Sequence, residues 1–545
     1  MSARVLCLVP VLATLCGGVL AAGESVLGGG AYGGLTQRHA AGPHYQPVFA
    51  THFGSAGHER FVGTGELADG TLVGIGVAWG PDFPAKPAVT VLGSGSHSRG
   101  PVPTKENKAK WAMPEPTADM AGFMVFYGPD GKARRSVRMD WGVASITAGM
   151  VAGDGKGILA AGRCLAGFAS FAARAKAVHR LPFNTQKPEG ASKNWKPPTP
   201  GGDVWVGRFA SDGTPEWVVI LERNGDPPDR LFTDHDGDLY FDANGFYKVP
   251  PAGGAPRLLV SRTGGGTAHW LGVDPRDGSS FFGGDRNTHT SWEPWRQPFL
   301  YKYDPEGKKV QTLWETEPKL VGAGASMMQS DSSPRTLAVS AKGELLITGW
   351  SDGGNSILTR EPLDFSKRKN TKTGAGFGMS TAGMNAGSVT HMMRIDGSSY
   401  ELLAHAIWMA YTPMFFGEQR PRGRPNGTQI HQIRALPGGD SAWTGASATG
   451  LIQTPNAFWK DPMLPDKHGG SSLSVANEEW NKLLFSSYLP GIDKPMPEST
   501  RSGVVVVGHS FGSDNWVKPT DAPSVAADQA FAGASDAWIL VLRRP

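Results

Sequence analysis

The sequence predicts an all-β fold, and three observations carry that prediction. A unit of strand, Asp-Gly turn and strand recurs along the 545 residues, first around Asp69-Gly70. Glycine (74) and proline (42) both exceed average usage, as many short strands joined by turns require. The C-terminal strand, Ser535 to Arg543, needs a partner for its backbone groups, and Pro47 to Phe53 has the character of the missing strand. These features predict a β-propeller that closes by pairing its N-terminal strand with its C-terminal strand.

The number of hairpins predicts the number of blades. First hairpins are expected to turn at residues 69–70, 154–155, 236–237, 277–278, 342–343, 438–439 and 503. Second hairpins are expected to turn at residues 130–131, 212–213, 253–254, 306–307, 396–397 and 476–477, and the two chain ends form a seventh. Two hairpins make four strands, so we expect seven four-stranded blades in one domain over residues 46–545.

Long insertions interrupt the blades at particular connections. If the strands of a blade are a, b, c and d, insertions between b and c are expected at about 79–121, 163–202, 284–297, 350–388, 446–470 and 509–534, and one between d and the next a at about 403–429. Antiparallel strands alternate in direction, so all these connections emerge on one side, which we call the insertion face. Because binding residues concentrate on loops held by a rigid scaffold, we expect the insertion face to be the working surface.

The N-terminus has the features of a secretory signal peptide over residues 1–22. Arg4 precedes an apolar run that Pro10 interrupts, and small residues at Ala21-Ala22 suit cleavage. The run is too short to span a bilayer, so we expect no transmembrane segment. Residues 23–45 are predicted to be a flexible leader. The mature protein is therefore expected in the periplasm, at the cell surface or in the medium.

Composition narrows the classes of partner and site. After cleavage only Cys164 remains of three cysteines, which excludes an intramolecular disulfide and a Cys-based metal site. The formal net charge of +4 gives no reason to expect a nucleic acid partner. The oligomeric state is left open.

The first and last units resemble the seven-bladed β-propeller repeat proteins exported by bacteria. The matching motifs are Phe53-Gly54, Ala68-Asp69-Gly70, Leu72-Val73-Gly74-Ile75-Gly76, Asp82-Phe83-Pro84, Val505-Val506-Val507-Gly508, Gln529-Ala530-Phe531-Ala532-Gly533 and Ser535-Asp536-Ala537-Trp538. The middle units match mainly at their turns. The resemblance implies the propeller fold and export, and it supplies no catalytic residues.

Three motifs could carry chemistry, and each has a plainer interpretation. Gly508 to Gly512 fits the G-x-S-x-G nucleophile elbow, but no histidine follows His509, which favours a blade strand. Asp234 to Asp238 spaces three carboxylates like a calcium loop without its bidentate Glu, which favours a turn. His289, His391 and His431 are scattered, so isolated histidines are favoured over metal ligands. We predict no catalytic residues, no metal site and no cofactor.

Aromatic residues in two insertions are the predicted binding residues. Exposed aromatic rings next to arginines are typical of sugar-stacking sites and of protein interfaces. The alternative is that these rings pack the loops onto the propeller. The predicted binding residues are Trp292, Trp295, Arg296, Trp408, Tyr411, Phe415 and Phe416.

Two classes of function follow. The first is a secreted, non-catalytic binding or scaffold protein that holds a protein or glycan partner at the insertion face. The alternative is a carbohydrate-active enzyme, a polysaccharide lyase or glycoside hydrolase, with its site at the mouth of the central channel. An enzyme predicts converging titratable groups with shifted pKa values in a deep pocket. A scaffold predicts a filled channel with an aromatic rim, and a structural subunit of a surface assembly would instead expose an extended apolar patch.

Overall fold

A computed structural model describes most of the strands that the sequence predicts. The described residues are 45–95 (without 56 and 81), 120–185, 200–261, 267–289, 294–314, 332–351, 358, 361–363, 389–408, 428–447, 451, 453–457, 470–489 (without 481), 491–501, 503–510 and 535–544. The expected signal peptide, 1–22, and the expected leader except residue 45 lie outside this part of the chain. No helix among the described residues has the length and apolar composition needed to cross a bilayer.

Residues 46–221 form a single strand and then a ten-stranded sheet. The elements are β1 (Gln46–Phe53), β2 (His58–Glu66), β3 (Leu72–Trp79), β4 (Val89–Leu92), β5 (Met120–Tyr127), β6 (Ala133–Met139), β7 (Ala148–Val151), β8 (Gly157–Arg163), α1 (Phe168–Ala172), β9 (Ala177–Leu181), β10 (Val204–Ala210) and β11 (Pro215–Leu221). The sheet order is β4-β6-β5-β3-β2-β7-β8-β10-β11-β9.

The ten-stranded sheet contains two antiparallel four-stranded meanders. One is β2-β3-β5-β6 and the other is β7-β8-β10-β11. Each is extended at its outer edge by a parallel strand, β4 on β6 and β9 on β11. The two meanders join through β2 and β7, which pair in parallel at only two positions, Gly63 with Gly149 and Thr64 with Met150.

The rest of the chain forms five further sheets of four antiparallel strands each. Their strands are β12 (Leu231–Thr233), β13 (Leu239–Asp242), β14 (Phe246–Val249), β15 (Arg257–Val260); β16 (Thr267–Val273), β17 (Ser280–His289), β18 (Pro294–Tyr303), β19 (Lys309–Leu313); β20 (Ser332–Val339), β21 (Leu345–Ser351), β22 (Val389–Ile395), β23 (Leu402–Trp408); β24 (Thr428–Ala435), β25 (Ser441–Ser447), β26 (Gly470–Ala476), β27 (Leu483–Leu489); and β28 (Ile492–Thr500), β29 (Gly503–Ser510), β30 (Asp536–Arg543). A short 3-10 helix, Pro437–Gly439, joins β24 to β25. The fold is therefore an all-β propeller with four-stranded antiparallel blades.

The two ends of the chain close the propeller, as the sequence predicts. The last sheet has the order β1-β30-β29-β28, so its outer strand comes from the N-terminus. The register runs from Gln46 opposite Arg543 to Phe53 opposite Ala537. This pairing satisfies the backbone groups that a terminal β30 would otherwise leave at an open edge.

The predicted Asp-Gly turns lie between consecutive strands, and their chemistry explains why they recur. Gly70 between β2 and β3 has a φ of 86°, and Gly213 between β10 and β11 has a φ of 83°, a region that glycine occupies without strain. The preceding aspartate closes the turn. The Asp69 carboxylate accepts the Thr71 N–H at 2.9 Å, and the Asp212 carboxylate accepts the Thr214 N–H at 2.8 Å.

Two predicted insertions need correction. The expected insertion at 284–297 consists of strand where the structure describes it, because β17 and β18 continue into it and pair as far as His289 opposite Pro294. The expected insertion at 403–429 begins later, because β23 extends to Trp408 and pairs with β22. In both places the strands extend further than expected because their backbone N–H and C=O groups pair with a neighbouring strand. The local sequence does not show that pairing.

Large aromatic side chains fill the space between the closing sheet and its neighbour. Phe53 of β1, Phe61 of β2 and Phe123 of β5 are buried in one cluster. The ring of Phe123 lies 5.5 Å from that of Phe53 and 5.7 Å from that of Phe61. The closing strand is therefore held by packing as well as by its hydrogen bonds.

We expect Leu540→Ala to destabilise the protein by about 2–5 kcal/mol, because it opens a cavity under the closing strand. Leu540 is 1% exposed and pairs in register with Ala50 of β1. The matched control is Leu403→Ala, since Leu403 is 45% exposed; its effect should stay within about 1 kcal/mol. Urea unfolding of both variants measures the difference, and equal losses would contradict the role of closure.

Candidate functional site

The first strands of the meanders and sheets surround a central cavity of about 210 Å³. Strands β2, β7, β12, β16, β20, β24 and β28 all contribute to its wall. Residues from these strands and their immediate flanks are Val62, Ala148, Gly149, Met150, Asp229, Arg230, Leu231, Phe232, Thr233, Gly272, Val273, Pro275, Leu337, Ala338, Val339, Gln432, Arg434, Ala435, Met496 and Glu498. The wall is mainly aliphatic, with a small group of charged side chains.

Arg434 and Glu498 form a two-pronged ion pair in the cavity wall. Arg434 Nε donates to Glu498 Oε2 at 3.1 Å, and its Nη2 donates to Oε1 at 2.8 Å. Its Nη1 donates to the Ile433 carbonyl at 3.0 Å and to Gln432 Oε1 at 3.4 Å. Burial disfavours the charge on Arg434, and the Glu498 carboxylate more than offsets it, so the pKa of Arg434 is raised. All the nitrogens of this guanidinium are engaged.

Arg230, immediately before β12, has a different environment. Its Nη1 atom is buried and has no hydrogen-bond partner among the described residues. Burial and then the positive charge of Arg434 lower the pKa of Arg230, while the carboxylates of Asp229 and Glu498 oppose that shift. An arginine remains protonated under such conditions. The cavity therefore holds a cation with an unused donor.

A second cluster lies toward the insertion face, at the end of β20, β21 and β18 opposite their tight turns. The half-buried Trp350 ring is approached by two exposed guanidinium groups, Arg296 at 5.6 Å and Arg335 at 5.9 Å from the ring centroid. Such cation–π contacts hold the three side chains together. We call Arg296, Arg335 and Trp350 the arginine–tryptophan cluster.

The structure brings one of the predicted binding residues, Arg296, into this cluster. Trp295 lies in β18 opposite Thr288. Trp292, Tyr411, Phe415 and Phe416 lie outside the described residues.

Trp408 corrects the sequence interpretation, since it does not offer a ring for binding. It is 1% exposed at the end of β23, and its ring meets the Trp443 ring edge-on at 5.1 Å. The strand turns this side chain into the core shared with the next sheet. Nothing in the local sequence of Trp350 distinguishes it from a core tryptophan, so the sequence does not predict its place in the arginine–tryptophan cluster.

The histidines do not form a metal site in the described part of the chain. His391 Nδ1 lies 2.9 Å from His405 Nε2, on neighbouring strands. Burial lowers the pKa of both, that of His405 to about 4, so the pair is neutral at pH 7. His431 is exposed. Among the described residues no three His, Cys, Asp or Glu side chains are placed to share an ion.

The other two motifs lie in regular structure. Gly508 to Ser510 belong to β29, which pairs with β28 on one side and β30 on the other. The Asp234 carboxylate accepts the N–H groups of Asp236 at 3.1 Å and Asp238 at 3.0 Å, and the Tyr240 hydroxyl at 2.7 Å. These bonds stabilise a turn.

A buried polar group that sequence reasoning missed lies where β1, β2 and β30 meet. Ser55 donates to Glu59 through its Oγ, at 2.6 Å, and through its N–H, at 3.2 Å. Burial raises the pKa of Glu59 to about 8; the Ser55 bonds oppose this, and the negative charges of Asp536 and Asp82 add to it. The Asp82-Phe-Pro and Ser-Asp-Ala-Trp motifs supply two of these carboxylates, but sequence alone does not bring them together.

No protein-family model matches the chain, and no curated protein sequence matches it. Solved structures with a similar arrangement include the periplasmic gluconolactonase of Pseudomonas aeruginosa, with 13% identity, 77% of this chain and 82% of that chain covered, and a TM-score of 0.34. An ancestral GH74 enzyme has 8% identity, 78% and 46% coverage, and a TM-score of 0.35. The β-propeller domain of the Trilobed protease from Pyrococcus furiosus has 10% identity, 85% and 90% coverage, and a TM-score of 0.33. Likenesses of this degree transfer no activity.

We expect Glu498→Gln to destabilise the protein by about 1–3 kcal/mol, because it leaves the Arg434 charge without its counter-ion. The matched control is Glu222→Gln, which removes an exposed pair with Arg180 whose side chains are 38% and 60% exposed. Its effect should stay below about 1 kcal/mol. Chemical unfolding at pH 7 measures the loss of stability in both variants. An equal loss would show that the Arg434–Glu498 pair contributes no more than an exposed ion pair does.

We expect stability to decrease through Glu59 as pH rises. Its pKa in the folded protein is about 8, above its ordinary value of 4.5. Between these two pH values the folded protein binds more protons than the unfolded protein, so the unfolding free energy falls as pH rises from 4.5 to 8. In Glu59→Gln this loss should disappear, and the decrease in unfolding free energy between pH 5 and pH 8.5 should be smaller than in wild type. The exposed Glu222→Gln variant should keep the wild-type profile. An unchanged profile in Glu59→Gln would contradict the assignment.

Proposed function

We propose that this protein is an exported, non-catalytic β-propeller binding protein that holds its partner at the insertion face. The observation that carries the proposal is the arginine–tryptophan cluster, a half-buried ring in contact with two exposed guanidinium groups. Groups of this kind bind partners through stacking and charge together. The cluster lies at the strand ends from which the long connections leave.

The proposal includes seven blades. Each meander of the ten-stranded sheet has its own first strand in the wall of the central cavity, and the ladder between these two first strands has two residue pairs among the described residues. Counting each as a blade, with the five four-stranded sheets, makes seven. Residues 46–545 then form one propeller domain. Membership of the exported bacterial repeat family, and export through the signal peptide at 1–22, belong to the same proposal and depend on the sequence motifs.

The cluster suits a glycan that carries carboxylates better than a neutral one. Arg296 and Arg335 can donate paired hydrogen bonds to a carboxylate while the Trp350 ring holds them in place, and the part of the ring that they leave uncovered can contact the apolar surface of a sugar. Asp285, whose carboxylate accepts the Ser333 hydroxyl, lies near Arg335 and limits the excess of positive charge. A polymer of uronic acids meets these requirements.

Two observations bear on the enzymatic alternative. Arg230 and Arg434, both with shifted pKa values, converge on the central cavity, but the Glu498 carboxylate there is bound to Arg434 through both oxygens. Glu59, with its pKa raised to about 8, is protonated at neutral pH, which is the state of a general acid. However, Glu59 is 0% exposed and its carboxyl oxygens accept hydrogen bonds from Ser55. A group so enclosed has no route to a polymeric substrate in this conformation, so binding without catalysis is the better supported function.

We expect the mature protein to bind polygalacturonate, and Trp350→Ala and Arg296→Gln/Arg335→Gln each to weaken binding about tenfold or more, since each loses about 1.4 kcal/mol of contact. Affinity gel electrophoresis against embedded polymer measures this, with dextran as the neutral comparison. The matched control is Arg134→Gln, whose side chain is 57% exposed beside the 130–131 turn, on the opposite face. It should bind like wild type.

Several outcomes would contradict the proposal. Equal binding by wild type and the cluster variants would remove the cluster from the interface. Release of unsaturated or shortened oligosaccharides during incubation would favour the enzyme. Retention of an envelope protein, lost in the cluster variants while polygalacturonate does not bind, would replace the glycan with a protein partner.

A further inference from the structure

The central cavity is a separate feature from the insertion-face cluster, and its wall has two kinds of surface. Aliphatic side chains from several first strands cover most of it, among them Val62, Val273 and Leu337. The polar groups Arg230, Gln432, Arg434, Asp229 and Glu498 complete it. A ligand that fits such a wall combines an apolar body with one charged group.

The charged groups define which charge the ligand carries. Arg434 is fully occupied by Glu498 and its neighbours. Arg230 is near a like charge and keeps a buried Nη1 that has no partner among the described residues. An unsatisfied buried donor is costly, and a guanidinium donates best to an anionic oxygen. The Arg230 guanidinium is therefore the group in the cavity wall that can bind an anion.

The remaining charges favour an anion with one negative charge over an anion with two. Glu498 and Asp229 offset Arg230 and Arg434 one for one, so the wall has no net positive charge to balance a ligand. A carboxylate then adds one uncompensated charge, whereas a phosphate monoester adds about two. The volume of about 210 Å³ is below the roughly 300–1,000 Å³ of pockets for drug-sized ligands, so the ligand is small.

We propose that the central cavity binds a small monocarboxylic acid, with its carboxylate on Arg230 and its apolar part against the aliphatic wall. Two parallel N–H···O bonds from a planar guanidinium match a carboxylate better than a single-point cation does. Gln432 lies in the same cavity wall, where its Oε1 accepts a hydrogen bond from Arg434, and an amide of this kind also carries two N–H donors. This site is independent of the proposed insertion-face function.

The test is calorimetric titration of the full protein with benzoate and with isovalerate, with benzamide and inorganic phosphate as comparison ligands. We expect at least one of the two carboxylates to bind, with benzamide and phosphate at least tenfold weaker. Arg230→Gln should weaken carboxylate binding at least tenfold. Arg134→Gln, a surface arginine outside the cavity, should leave it unchanged.

A second variant keeps the test decisive if Arg230→Gln does not fold. Val339→Phe replaces an isopropyl group in the cavity wall with a larger aromatic ring and leaves every charged residue in place, and it should abolish carboxylate binding while circular dichroism stays native. The proposal is overturned if neither carboxylate binds, if benzamide or phosphate binds as tightly as the carboxylates, or if a folded Arg230→Gln or Val339→Phe binds like wild type. Polygalacturonate binding in these variants reports separately on the insertion face.

Discussion

The structure depends on one pairing, that of β1 with β30. Every other sheet is built from strands that follow one another closely in the chain, but the last sheet is complete only when residues 46–53 reach residues 537–543. The pairing removes an open sheet edge and places Phe53 against Phe123 of the neighbouring sheet. The pairing of β1 with β30 completes the ring in which the first strands surround the central cavity. The positions of the residues in the cavity wall therefore depend on this pairing.

Closure also explains the polar seam beside it, by which we mean Ser55, Glu59 and Asp536. Gly54 follows β1, and a Cβ at that position would lie 2.2 Å from Asp536 Cγ, so the approach of β1 to β30 requires a residue without a side chain there. The same approach buries Glu59 close to Asp536, which keeps Glu59 protonated at neutral pH. The seam is thus a region where close packing is obtained at some electrostatic cost, offset by the hydrogen bonds from Ser55 and the packing around it.

The ring brings together charges that are far apart in sequence. Arg434 and Glu498 lie in two different sheets and Arg230 lies immediately before a strand of a third, yet Glu498 influences the pKa of both arginines and Arg434 influences that of Arg230. Their difference is instructive, because the two arginines share a cavity while only Arg434 has a two-pronged partner among the described residues. The scaffold holds Arg434 fully paired and leaves Arg230 with a donor that has no partner among the described residues. A ligand gains more from a hydrogen bond to Arg230, because that bond replaces no existing one. The insertion face uses a different arrangement, with arginines against a ring.

The sequence alone determined most of the strands and turns, because these depend on local chemistry. It also predicted the closure of the ring, because the C-terminal strand needs a partner and the N-terminal strand has matching character. Asp-Gly pairs close turns through bonds within three residues, and alternation of side chains marks strands on either side. The candidate site was less accessible. Trp408 and Trp350 both end strands, and only packing decided that Trp408 is buried on Trp443 while Trp350 meets Arg296 and Arg335. The cavity residues come from separate sheets, and no local pattern encodes which side chains meet across a ring. Tertiary structure decided the site, since its contacts exist only after closure.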